Sequence, residues 1–98
     1  MQTVTVTKII EDDYVIFKSE KGFGWFEMFD FVDLDEDDIL SGNFETYGPE
    51  KITKETTGEI FEVSIEDVMQ SLELCIEQIE KEIEYHKNKQ SMIAAQNG

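Results

Sequence analysis

Cys75 and His86 are the single thiol and the single imidazole of a 98-residue chain, the two side chains best suited to nucleophilic or general-base chemistry. They stand eleven positions apart in a stretch of helical spacing, which separates them by about 16 Å on one helix and keeps them from acting as a pair. Cys75 is therefore expected to be a small core residue and His86 to continue the helix surface. Asp33, Asp35 and Asp37 occupy positions one, three and five of a possible calcium loop. Position six is Asp38 where the turn needs glycine, and position twelve is Phe44 in place of a bidentate Glu. Gly22 and Gly24 form a lone G-x-G followed by Glu27 where a dinucleotide fingerprint needs glycine. There is no G-x-S-x-G elbow, no P-loop and no Cys/His cluster of metal spacing. The chain is read as non-enzymatic, with no catalytic residue, metal or cofactor.

Binding chemistry is better supplied. The sequence holds 23 Asp and Glu against 8 basic residues, all of them Lys, for a formal net charge of −15. Such a field repels phosphate, and without Arg the bidentate fork that reads guanine or clamps phosphate is missing, so nucleic acid is an unexpected ligand. A basic protein partner is the complementary one. Residues 1–64 carry 16 of the carboxylates and five lysines, and residues 65–98 carry seven and three, so an acidic binding face would lie mainly on the first part. Asp35 and Asp37 belong to its densest acidic run, Asp30 to Asp38. Phe23, Trp25, Phe26 and Phe29 could stack bases, but Glu20, Glu27 and Asp30 stand among them, so these rings are expected to build a core. The alternation predicts Phe26 and Met28 on one face, with Trp25 and Phe23 on the other, partly exposed.

A domain of this length buries only about 60 to 65% of its unfolded surface, which leaves little room for a large cleft. With one cysteine no internal disulfide can form, Met1 to Ile10 lacks a basic leader pattern, and no run approaches a membrane span; the expected setting is the cytoplasm.

The elements follow from the hydropathy pattern. Thr3–Ile10 and Tyr14–Ser19 are β-branched or apolar strands around the turn Glu11-Asp12-Asp13 and should pair as a hairpin. Glu20-Lys21-Gly22 turns into a third strand, Phe23–Phe29, whose Gly24 marks a bulge or close approach. The acidic loop follows, pinned by Phe31, Val32 and Leu34, then a short strand Ile39–Phe44. A second hairpin spans Glu50–Thr56 and Glu59–Ile65. From Ile65 to about Gln90 the spacing becomes helical, with Ser64 as N-cap and Asp67 completing an imperfect capping box. The fold class expected is α+β, mainly β: one domain, with a five- to six-stranded antiparallel barrel of OB-like or SH3-like type over 1–64, a long C-terminal helix over 65–90 and a frayed tail over 91–98.

From Gly22-Phe-Gly-Trp25 through Glu27-Met-Phe-Asp30, Asp38-Ile-Leu-Ser-Gly42-Asn43, Thr56-Thr-Gly58-Glu59 and Val63-Ser-Ile-Glu-Asp67, about half the chain resembles small uncharacterised bacterial proteins with an OB-like barrel. The resemblance implies a fold and no activity. It departs from a standard oligonucleotide-binding barrel in placing its helix after the last strand.

Ile65, Met69, Leu72, Ile76, Ile79 and Ile83 form a seam of alternating steps of four and three. Leu72, Ile76, Ile79 and Ile83 are the expected docking residues, for a second copy above all, with Trp25, Asp35 and Asp37 as further contact positions. The leading expectation is an acidic protein-interaction module that forms a homodimer or docks through its helix. The alternatives are a nucleic-acid mimic that inhibits a basic protein, or an OB-like binder of a ligand or single strand.

Overall fold

The computed structural model describes the backbone of residues 2–97 and the side chains of residues 2–87. Six strands precede one helix: β1 (Gln2–Ile10), β2 (Tyr14–Ser19), β3 (Gly22–Met28), β4 (Ile39–Gly42), β5 (Gly48–Lys54), β6 (Glu59–Gln70) and α1 (Leu72–Asn97). The strands close into a barrel in the order β1-β2-β3-β6-β5-β4, every pair antiparallel. The four residue pairs from Gln2↔Gly42 to Thr5↔Ile39 join β4 back to β1 and leave the sheet without a terminal strand. The expected barrel, both expected hairpins and the C-terminal helix are all present.

Two hydrophobic layers hold the molecule together, and β2 explains why. Its residues Tyr14, Val15, Ile16 and Phe17 are all buried, so the strand is covered on both faces and reads as an unbroken apolar run. Val15 and Phe17 point into the barrel with Val4, Val6, Phe26, Leu40, Ile52 and Val63. Tyr14 and Ile16 point outward, where α1 covers them with Cys75 and Ile79. The predicted split within β3 holds: Phe26 and Met28 join the interior, while Trp25 and Phe23 join the outer layer. Trp25, however, is only 5% exposed, because the helix lies over it.

Gly24 carries the close approach that its position in the sequence suggests. A Cβ there would collide with the Phe17 ring and with the Asp67 carbonyl oxygen. The strand pairing is also irregular on both sides of Trp25, where β6 inserts extra residues.

Those bulges account for the main correction to the sequence reading. The helix begins at Leu72, seven residues after the expected start, and Ile65 to Gln70 continue β6. Ile65 and Val68 both face the barrel interior although they are three positions apart. A bulged strand thus reproduces the i, i+3 spacing of a helix. Ser64 accordingly is no N-cap, and its hydroxyl donates to Glu66 Oε1 at 2.8 Å. Ser71 takes that role, with its Oγ accepting from the Leu74 N–H at 3.2 Å, and Glu73 places the acidic charge in the first turn. Met69, expected in the helix seam, sits exposed at the second bulge with φ +57°. The tail expected at 91–98 lies outside the residues whose side chains are described.

In the acidic loop, Val32 and Leu34 are buried anchors as expected, whereas Phe31 is 91% exposed. The loop runs on beside β1: the Val6 N–H donates to the Asp38 carbonyl and the Asp37 N–H to the Val6 carbonyl, each at 2.8 Å. That pairing fixes Val32 and Leu34 against the barrel end and leaves the Phe31 ring in water.

Candidate functional site: an acidic groove between helix and barrel

Where α1 leaves the barrel, an open groove of about 500 Å³ lies between it and β6, lined by Trp25, Glu66, Asp67, Gln78, Lys81, Glu82 and Tyr85. Its floor is a chain of hydrogen bonds. Trp25 Nε1 donates to Gln78 Oε1 at 2.8 Å, and Gln78 Nε2 donates to Asp67 Oδ2, also at 2.8 Å. Asp67 Oδ1 accepts from the Val68 N–H at 2.8 Å and from Gln70 Nε2 at 3.3 Å. The Tyr47 hydroxyl donates to the same oxygen at a long 3.5 Å. Among the described residues this buried carboxylate makes no ion pair and is held by neutral donors, which is how a buried charge is tolerated.

The walls are negative. Burial raises the Glu27 carboxyl above its ordinary value, and Glu66 and Glu82 push it further, against a smaller lowering by His86. Tyr14 is raised as well, by burial first and then by Glu27 and Glu82. Lys81, the groove's cation, pairs with Glu77 at 3.3 Å, and His86 meets Glu82 at 3.1 Å. Among the described residues the other lysine ion pairs are Lys21–Glu45 and Lys54–Asp38, so most carboxylates have no counter-ion within reach. Tyr85 adds an exposed ring at the groove mouth.

The expected docking residues converge on this junction, but most of their surface is turned inward. Ile79 is 0% exposed, and Leu72, Ile76 and Ile83 are half-buried against the same Tyr14, Ile16 and Trp25 layer. The seam is filled by the chain's own barrel because β2 and β3 present an apolar outer face that needs covering. Trp25 cannot stack on a ligand, since its indole is covered and its N–H is taken by Gln78. Asp35 and Asp37 stand apart from the groove, exposed on the loop, where the Asp35 N–H donates to Asp38 Oδ2 at 2.8 Å. Among the described residues no set of three metal-ligating side chains comes together. Cys75 is fully buried and its thiol is pushed up to about 11 by burial and by Asp67, so it offers almost no thiolate at neutral pH.

The residues that sequence reasoning missed are Gln78, Glu27, Glu66, Glu82 and Tyr85. Gln78 left a trace: it is a polar residue beside Cys75 and Ile79 on the helix face that docks. The carboxylates left none, because 23 acids in one chain give no clue to which ones meet.

No protein-family model, no curated protein and no solved structure matches the chain. The architecture rests on the closed six-stranded antiparallel barrel itself, one strand more than the oligonucleotide-binding barrel. Among the described residues no helix is long and apolar enough to cross a membrane.

Proposed function

We propose that this protein is a non-enzymatic acidic interaction module that receives a basic segment of a partner protein in the groove between α1 and the barrel. The observation that supports it is one open groove lined by Glu66, Asp67 and Glu82, with Glu27 in the field of Glu66 and Glu82, whose lysine among the described residues is already paired with Glu77. A cationic side chain entering there meets several carboxylates beside the exposed ring of Tyr85, whose face can add cation–π attraction to charge attraction. The reading moves docking from the helix seam to its flank, since Ile79 and its neighbours are held by the barrel.

The test is calorimetric titration with a synthetic peptide of alternating Lys and Gln at low salt. A groove variant, Glu27→Gln/Glu66→Gln/Glu82→Gln, is compared with a loop variant of equal charge change, Asp35→Asn/Glu36→Gln/Asp37→Asn. The groove variant should lose most of the affinity and the loop variant little. Equal losses would mean that the whole surface attracts the peptide and the groove is no site. A wild-type protein that releases no heat would end the interaction reading.

A further inference from the structure

Below the groove the outer face of β3 and β6 continues without cover from α1. The interior pair Met28↔Val63 is followed by Phe29, whose N–H donates to the Glu62 carbonyl at 3.2 Å. Since successive residues alternate faces, Phe29 and Glu62 point outward, and Ile60, two residues from Glu62, shares that face. Phe29 is 55% exposed and Ile60 66%, and Phe31 is more exposed than either. Phe29 and Ile60 therefore stand in water at one end of a sheet face whose other residues are Glu27, Glu62, Ser64 and Glu66, with Asp30 at the patch edge, whereas Phe31 lies beyond the strand beside Ile9, Asp12 and Met28. Lys51, in register with Glu62, is the cation beside them.

We propose that this face binds an amphipathic basic segment of the partner, with cationic side chains over Glu27, Glu62 and Glu66 and apolar side chains over Phe29 and Ile60. The inference rests on the interaction-module reading and adds the second half of the partner's chemistry. Charge complementarity selects the occupant: a second copy of this chain, itself at −15, would set carboxylates against carboxylates, as would the phosphates of a nucleic acid.

Two synthetic helical peptides of equal length and lysine count provide the probe, one with Leu along its second face and one with Gln there. The wild type should bind the Leu peptide about tenfold more tightly than the Gln peptide. Phe29→Ser and Ile60→Ser, both at solvent-exposed positions, should each remove most of that preference by weakening the Leu peptide far more than the Gln peptide. Glu62→Gln/Glu66→Gln should weaken both peptides and flatten their salt dependence. If the two serine variants keep the full preference for Leu, the apolar half of the site is wrong while the acidic module stands. If the wild type binds neither peptide, both readings fall together.

Discussion

Gln78 of α1 donates through Nε2 to Asp67 Oδ2 of β6 at 2.8 Å, and its Oε1 accepts from Trp25 Nε1 of β3 at the same distance. One amide therefore satisfies a buried carboxylate and a buried indole at once, and it does so across the boundary between helix and barrel. The apolar layer gives α1 its adhesion; this bond pair fixes its position along the barrel.

Gln78→Leu keeps the volume but leaves the Trp25 N–H and one Asp67 oxygen without their partners. The expected cost is about 1 to 3 kcal/mol, the range for orphaned buried polar groups. Urea unfolding would measure it. Asp67→Asn should also destabilise, because its new amide donor would face the Gln78 amide nitrogen. The double variant should cost less than the two singles summed; strict additivity would show that the network does not couple.

The seam makes a prediction about mass as well as stability. Ile79→Ala should cost about 2 to 5 kcal/mol, as for a fully buried Ile, and Ile83→Ala clearly less. Light scattering of the folded Ile83→Ala variant should give the parent's mass. A fall in mass would place Ile83 in a contact between copies and return the seam to its expected role in a dimer.

How much of this was legible beforehand depended on whether a pattern had one cause or two. The hairpin of β1 and β2, the faces of Phe26 and Trp25, and the tight site at Gly24 each follow from a single local rule and were readable. The stretch from Ile65 to Val68 obeys two rules at once, since a bulge in a strand copies the spacing of a helix, and there the sequence misleads. Trp25 was misplaced for another reason: its exposure depends on where α1 lies, and docking across the barrel is a tertiary event. The groove is less legible still. Glu27, Glu66 and Glu82 come from three different elements, and only the closed barrel and the docked helix bring them together.

The bulge itself can be tested at Met69. Its φ of +57° lies in the left-handed region, which costs a residue with a side chain about 1 kcal/mol or more and costs glycine almost nothing. The Met69 side chain is exposed, so little packing is lost by removing it. Met69→Gly should leave stability unchanged or raise it by up to about 1 kcal/mol, in contrast to the loss expected for glycine in an ordinary strand. A loss of stability comparable to that ordinary case, read from thermal unfolding, would mean that the bulge does not hold Met69 in this conformation.

Glu27 gives the groove a pH signature. Its carboxyl is raised in the folded protein by burial, then by Glu66 and Glu82, above the ordinary value of 4.5 that the unfolded chain retains. Between those two values the folded state keeps a proton that the unfolded state has lost, so stability falls as pH rises. The contribution is fully present below 4.5 and is gone once pH has passed the folded value. Glu27→Gln removes it, and the variant should gain on the wild type as pH rises through that window and stay ahead at neutral pH. Glu45 works in the opposite sense, lowered by Lys21 and losing its contribution as pH falls, but it is common to both proteins and cancels in the comparison. Denaturant midpoints of the two proteins taken from pH 4 to pH 8 would supply the difference. If that difference does not change with pH, Glu27 does not share a field with Glu66 and Glu82, and the groove loses the electrostatic character on which partner binding depends.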